Sequence, residues 1–148
     1  DITGEVVVQT FNPEHHVFKY LEAHDYSGFT SEELRVRKKL KYPPFSRIVL
    51  ASFSSANKDA LHRLVERWTV GARKLCARVR GTPIDVLGPA PPPVERVKNR
   101  YRIQVLIKGA LTTTIRNRLL DSFQAMAERV RGGRGVDLRW DVDPESFY

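Results

Sequence analysis

The sequence predicts an α+β fold in which a four-stranded antiparallel sheet carries both of its helices on one face. Residues 57–79 and about 112–130 place apolar side chains at helical spacing, which indicates two amphipathic helices. Short β-rich runs flank both of these segments. From residue 46 onward the order is β-α-β-β-α-β, the split β-α-β or ferredoxin-like arrangement.

The four strands of this unit are expected at 47–53, 84–87, 101–107 and 136–142. In the third strand, apolar residues alternate with largely polar ones, so one face is expected to be buried. The first helix is amphipathic, and its outer face carries these cations: Arg63, Arg67, Arg73, Lys74, Arg78 and Arg80. Thr112 is a favourable cap for the second helix, and Gly132-Gly133 is expected to end it.

The first 45 residues predict a strand followed by two helices. Residues 5–10 are β-rich, and Asn12-Pro13 is typical of a helix start. Thr30 and Glu33 have the spacing of a capping box, which predicts a second helix ending before the prolines at 43–44. We therefore expect two parts, residues 1–45 and the split β-α-β domain at 46–148.

Composition favours a polyanionic partner. The chain has 148 residues, 41% hydrophobic and 28% charged, with a net charge of +8, so nucleic acid is the expected partner class. The single Cys76 excludes an internal disulfide and a multi-cysteine zinc site. No apolar run approaches the roughly 20 residues of a membrane span. Because the first residue is Asp rather than Met, we expect a fragment of a longer protein.

A stiff, basic segment lies in the middle of the domain. Four prolines at 89–93 predict an extended surface connection, because proline fixes φ and lacks an amide donor. A cationic loop follows, and the candidate DNA-binding residues are Arg96, Lys98, Arg100, Tyr101 and Arg102. Its cations would bind phosphates, and Tyr101 would stack on a base if its ring is exposed. A solvated loop without function is the alternative.

The second predicted helix offers a competing basic surface. Its candidate DNA-binding residues are Arg35, Lys38 and Lys39, and a solvated helix face is the equally simple interpretation. No catalytic motif accompanies either surface, because both the GxxxxGK[ST] and the GxGxxG phosphate loops are missing. Asp141 and Asp143 would point the same way on a strand, but Asp143-Pro144 is typical of a turn, so no metal site is predicted.

Several separated motifs resemble one family. They are GEVVVQTFNPEHHVFKYL at 4–21, DYSGFTSEEL at 25–34, KYPPFSRI at 41–48, VLGPAPPPVERVKNRYRIQVLIK at 86–108 and DVDPESF at 141–147. Together they resemble the C-terminal portion of primosomal protein N′ (PriA), the bacterial replication-restart DNA helicase. That resemblance implies a ribosomal-protein-like split β-α-β domain, preceded by the end of the second helicase motor lobe.

The same resemblance implies the function and its setting. The chain would bind branched fork DNA and single-stranded DNA, the C-terminal tail of single-stranded-DNA-binding protein, and other primosome proteins. Arg102 and Arg116 are the candidates for the acidic tail. The chain itself would need no cofactor and be no enzyme, whereas the parent family uses ATP, magnesium and zinc. We expect a monomer, cytoplasmic and nucleoid-associated in a bacterium, without membrane contact.

Two alternatives stay open at this point. One is a protein-docking platform that touches DNA weakly, and the other is an RNA-binding module of ribosomal type, which the topology alone favours.

Overall fold

The computed structural model describes residue 4, residues 6–130 and residues 135–144. The chain divides into two compact units, residues 1–36 and residues 37–148.

The first unit contains α1 (His16–Glu22) and most of α2 (Tyr26–Leu40). The expected start of α1 at Asn12 is wrong, because the Asn12 carbonyl accepts from the His15 amide in a turn and the His15 imidazole caps the helix. The capping box at residues 30–33 is also wrong. Asp25 accepts a hydrogen bond from the Gly28 amide at 2.8 Å, and α2 begins five residues earlier than predicted, at Tyr26.

The strand expected at residues 5–10 does not form in the described part of that segment. Residues 6–10 have no regular secondary structure. An isolated extended segment gains no ladder hydrogen bonds, so a β-rich sequence alone does not make a strand.

The second unit confirms the predicted α+β architecture. Its elements are β1 (Arg47–Ser55), α3 (Lys58–Cys76), β2 (Ile84–Ala90), β3 (Arg96–Val97), β4 (Arg100–Gly109), α4 (Thr113–Val130) and β5 (Val136–Val142). The sheet order is β2-β4-β1-β5, every pairing is antiparallel, and the short β3 adds to the end of β4. This is the split β-α-β order, with β1 and β4 at its centre.

Both long helices begin where side chains can cap them. Asn57 accepts from the Ala60 amide at 2.9 Å, and Thr112 accepts from the Ile115 amide at 3.3 Å. Helix α3 ends at Cys76 rather than near Val79, because the amides of Arg78 and Val79 donate to carbonyls three residues back in a tighter turn. The expected end of α4 at residues 132–133 lies outside the described residues.

The core lies between the helices and one face of the sheet. Trp68 of α3 is fully buried, with ring centroids 5.0 Å from Phe53 of β1 and 5.4 Å from Phe123 of α4. Every second side chain of β4 points to the same face of the sheet, as the pattern predicts. Val105 and Ile107 belong to this set and are buried. Both long helices therefore pack on one face.

Among the described residues, the other face of the sheet is covered at one end. Lys108 of β4 donates to the carbonyl of Leu40 at 3.1 Å and lies 5.2 Å from the ring centroid of Tyr42. Ile48, opposite Lys108 in register, is only 3% exposed. Towards Ser54, the same face opens into solvent-accessible space.

Strand β2 runs further than expected, to Ala90. Its register against β4 shifts between Leu87 and Ala90, and Gly88 adopts a φ of +99° there. A Cβ at Gly88 would meet the Gln104 carbonyl oxygen at 2.9 Å, so this position favours glycine. Proline 89 is tolerated because β2 is an edge strand, where a missing amide costs no central ladder bond.

Cys76 packs within the hydrophobic core. It is 3% exposed at the end of α3, and burial raises the pKa of its thiol to about 11. A thiol with so high a pKa is a poor nucleophile at neutral pH.

Asp143 joins the end of β5 to the start of β1. Its carboxylate accepts from the Ile48 amide at 2.9 Å and from the Arg47 guanidinium at 2.7 Å. Partial burial on its own would raise the pKa of Asp143, but these two donors outweigh that effect and lower it, with help from Arg116.

We predict that Asp143→Asn loses a stabilisation that depends on pH. Because the pKa of Asp143 is lower in the folded state than in the unfolded chain, its ionised carboxylate stabilises the folded state at pH values above the ordinary aspartate pKa. This stabilisation is lost as the pH falls through the folded-state pKa. The free energy of unfolding at pH 7 should fall by about 1 kcal/mol, measured by denaturant titration. The gap between parent and variant should narrow below about pH 4; a gap that stays constant down to pH 2 would contradict the assigned role.

Candidate nucleic-acid interface

The basic loop of the sequence is an ordered hairpin. Val97 pairs with Arg100, which leaves a two-residue turn at Lys98-Asn99. Both turn residues have positive φ, 48° and 60°, as in the tight hairpin turns that match strand twist. Lys98 therefore lies exposed at a defined tip.

The Arg100 side chain of β4 links three strands of the sheet through hydrogen bonds to β1 and β5. Its guanidinium donates to the Ser54 carbonyl of β1 at 2.9 Å and to the Asp137 carboxylate of β5 at 2.6 Å. A weaker bond reaches the Gly135 carbonyl at 3.3 Å. Such charge-assisted bonds to two other strands fix the side chain and compensate its charge.

Arg96 and Tyr101 also contact one another. The Arg96 guanidinium lies 5.0 Å from the Tyr101 ring centroid, and the Lys58 ammonium lies 5.5 Å from it. Lys58 in turn pairs with Glu95 at 3.1 Å. Tyr101 packs against the core from the helix side of the sheet. The Tyr101 ring therefore makes cation–π contacts with both Arg96 and Lys58.

Three other cations converge on the open face of the sheet. Arg102 of β4 lies opposite Ser54, and Gln104 lies opposite Ser52, which in turn pairs with Arg139 of β5. Residues directly opposite in a ladder share a face. Together with Lys98 they line a shallow groove of about 530 Å³, whose remaining walls include Leu50, Val97, Trp140 and Asp141. We call it the sheet groove.

The charge of the sheet groove is largely uncompensated. Lys98, Arg102 and Arg139 form no salt bridge within residues 6–130 and 135–144. Asp141 contributes the only carboxylate among the described residues that line the groove. The groove therefore offers cationic and hydrogen-bonding groups to an anionic ligand.

The remaining sequence candidates lie elsewhere. Arg35 pairs with Glu32 at 3.4 Å, while Lys38 and Lys39 are exposed in the last turn of α2. Cations there complement the negative end of the helix dipole, which gives them a structural explanation.

Arg102 and Arg116 are not brought together. Arg102 lies opposite Ser54, whereas Arg116 lowers the pKa of Asp143, which binds the Ile48 amide. Ser54 lies six residues along β1 from Ile48, a distance of about 20 Å. The two arginines therefore do not form one anion pocket.

The sequence interpretation missed Arg139. It lies between Asp137 and Asp141 at alternating positions of β5, and the period-two pattern could have placed all three on one face. The pairing of β5 with β1 is what puts Arg139 beside the hairpin, and that register is not readable from the sequence.

The described residues contain neither a cluster of three metal-ligating side chains nor a helix that is apolar and long enough to cross a bilayer.

We predict that Arg100→Gln and Lys98→Gln differ in stability although each removes one charge from the same hairpin. Arg100→Gln should lower the free energy of unfolding by about 1–2 kcal/mol, because it breaks bonds to two strands. Lys98→Gln should change it by less than about 0.5 kcal/mol. Denaturant titration of both variants tests this, and equal losses would show that Arg100 is not the structural member.

The chain is similar to known replication proteins. A family model described as the primosomal protein N C-terminal domain matches residues 38–145. Replication restart protein PriA is 33% identical in Synechocystis sp., 32% in Bacillus subtilis and 30% in Haemophilus influenzae, over 71%, 95% and 99% of this chain. These matches cover 12%, 17% and 19% of the relatives, so the chain spans less than a fifth of their length.

Among solved structures, a designed protein with a ferredoxin fold matches 68% of this chain and 86% of its own, at 13% identity and a TM-score of 0.46. The match of the family model over residues 38–145, most of the chain, shows that this protein belongs to the primosomal protein N C-terminal domain family.

Proposed function

We propose that this chain is a DNA-binding and partner-docking domain of a bacterial replication-restart protein, and that DNA lies in the sheet groove. The observation that carries the proposal is the convergence of Lys98, Arg102 and Arg139, without ion-pair partners in the described chain, on one concave face. Family membership and the net charge of +8 support it.

The groove chemistry favours recognition of the DNA backbone. Arginine and lysine side chains, two serine hydroxyls and the Gln104 amide match phosphate and sugar oxygens. The aromatic residue of the lining is Trp140, whose indole nitrogen donates to Gln124 at 3.2 Å and whose ring packs with Trp68. Its engagement in the core argues against a base-stacking platform, so binding should depend weakly on sequence and steeply on salt.

The wider setting of the chain is part of the same proposal. Residues 1–45 would be the end of the second motor lobe of a helicase and a helical linker to the domain at 46–148. Branched fork DNA, single-stranded DNA, the tail of single-stranded-DNA-binding protein and other primosome proteins would be the partners. Because Arg102 and Arg116 lie apart, an acidic tail that used both would have to lie extended between them, with a different carboxylate at each arginine.

We predict no ATP turnover by the isolated chain, with or without DNA, because it contains no phosphate-binding loop of the P-loop type. A coupled phosphate-release assay on protein purified to homogeneity measures this. DNA-stimulated turnover that co-purifies with the chain through a second chromatographic step would refute the prediction.

The DNA proposal predicts the behaviour of the groove variant Lys98→Gln, Arg102→Gln, Arg139→Gln. Each lost phosphate contact should reduce the slope of log affinity against log salt by roughly 0.9 on duplex DNA. The triple variant should therefore bind a short duplex at least about tenfold more weakly, with a slope flatter by about 2–3. Fluorescence anisotropy over a salt series gives both quantities.

The matched control is Lys38→Gln with Lys39→Gln, which removes cations from the competing helix surface. This control should retain the parental slope. If the control loses binding and the groove variant does not, the end of α2 is the DNA surface instead.

Parallel titrations with RNA and with an acidic tail peptide test the two alternatives, an RNA-binding module and a protein-docking platform. If the parent chain binds RNA or the peptide more tightly than DNA, that alternative is favoured over the DNA proposal.

A further inference from the structure

The two edges of the sheet differ in how well they are protected against pairing with another strand. The sheet order leaves β2 at one edge and β5 at the other. In β2, Pro89 lacks an amide, and the register against β4 shifts beside it. The Gly88 carbonyl of β2 already accepts from Arg73 at 2.7 Å. Strand β5 contains no proline, and its seven residues pair with β1 in unbroken register, so its edge is the better place to add a strand.

The free backbone groups of β5 belong to alternate residues. In an antiparallel ladder, successive residues point their N–H and C=O groups alternately at one neighbour and away from it. The Asp143 amide donates to the Ile48 carbonyl of β1 at 2.7 Å, so every second residue before Asp143 also faces β1. No described strand pairs with the other side of β5. The residues whose backbone groups face that open edge are Val136, Leu138, Trp140 and Val142.

The side chains of these outward-facing residues make the edge partly apolar. Leu138 and Trp140 pack against the core but are only partly buried, and Val142 is 37% exposed. A strand added beside β5 would cover all three side chains while it forms ladder hydrogen bonds with their backbone groups. Both the apolar area and the free donors and acceptors therefore favour an extended partner.

The charges on the opposite face of β5 are complementary to a second copy of the same strand. Arg139 and Asp141 form no salt bridge within the described chain. If two copies of β5 pair antiparallel with Trp140 opposite Trp140, Arg139 of each copy lies directly opposite Asp141 of the other. Both of these are non-hydrogen-bonded pairs, in which opposed side chains lie closest, so each ion pair stabilises the contact. In the same register Leu138 lies opposite Val142.

Other registers are less favourable. A shift by one residue would bring apolar residues opposite charged ones. Centring the pairing on Arg139 would place this residue opposite itself and Asp137 opposite Asp141, and like charges directly opposite destabilise a sheet. Centring it on Leu138 would use Asp137, which already binds an arginine at 2.6 Å. The pairing centred on Trp140 is thus the one that uses the uncompensated charges.

We propose that the edge of β5 is a self-pairing interface, through which two copies of this chain join their sheets with Trp140 opposite Trp140. A twofold axis perpendicular to the sheet relates the copies. Both helix layers then lie on one side of a continuous sheet, and both sheet grooves lie on the other. Pairing needs no DNA, so it is independent of the proposed function. A single short strand buries less than a standard interface of about 1,600 Å², so we expect a Kd of about 0.1–1 mM.

Charge reversal on β5 tests this pairing. Arg139→Asp places acids opposite acids and Asp141→Arg places bases opposite bases, so each variant alone should self-associate roughly fivefold or more weakly than the parent. An equimolar mixture of the two variants again places acids opposite bases, and it should associate about as tightly as the parent. Sedimentation equilibrium from about 10 μM to about 1 mM chain measures all four samples.

The matched control is Arg102→Asp, which reverses one cation on the same face of the sheet. Arg102 lies on β4, and β1 separates it from β5, so this control should keep the self-association of the parent. Circular dichroism checks that every variant folds. The three substitutions change side chains on the open face and leave the outward-facing backbone groups of β5 in place.

Four outcomes overturn the self-pairing. The first is a parent chain that stays monomeric at about 1 mM, which would leave the edge to a different strand. The second is self-association of the single variants like that of the parent, as expected if the exposed valines at 6–8 were the contact instead. The third is a mixture that does not recover association. The fourth is an equal loss in Arg102→Asp, which would make the effect one of net charge.

These outcomes are distinguishable from failure of the proposed function. Arg139 belongs to both surfaces, but DNA binding by the groove variant is measured in dilute solution, far below the expected Kd of self-pairing. Loss of DNA binding there says nothing about β5, and failure of self-pairing leaves the sheet groove of the single chain as it is.

Discussion

The indole of Trp68 is the contact on which the domain depends. It lies between α3 and three other elements, with ring centroids 5.0 Å from Phe53, 5.4 Å from Phe123 and 5.9 Å from Trp140. Its N–H, which would be costly to bury unpaired, donates to the Phe123 carbonyl at 3.2 Å. Because this cluster holds both helices against one face, the polar side chains of β1, β4 and β5 are left on the other. The sheet groove is a direct result of that asymmetry.

Periodicity predicted the fold well because each signal was local. The alternation along β4 and the helical spacing of Leu61, Leu64 and Trp68 depend on neighbouring residues of one element. The helix starts near the N-terminus were predicted less well. Asn12 and Thr30 are ordinary capping residues, but His15 and Asp25 act as the caps, and composition does not distinguish competing caps a few residues apart.

The candidate site was predictable as a region but not residue by residue. Four cations in seven residues mark the hairpin as basic, yet they have different roles in the fold. Arg100 meets Ser54 and Asp137, 46 and 37 residues away, while Arg96 meets a ring on the helix side. Arg139 enters the groove from β5. Which cations stay uncompensated depends on strand register between distant segments, and sequence patterns of one strand do not contain that information.

The central position of β1 affects when the domain can complete its folding during synthesis. The Ile48 amide donates to Asp143, which follows it by 95 residues, and one whole edge of β1 is paired only by β5. A ribosome releases the chain from its N-terminus, so β1 emerges long before β5 is available. Until then its second edge has no native partner and one wall of the Trp68 cluster is missing. Contacts this distant in sequence form slowly, and the nascent domain therefore exposes an unpaired strand edge that chaperones can protect.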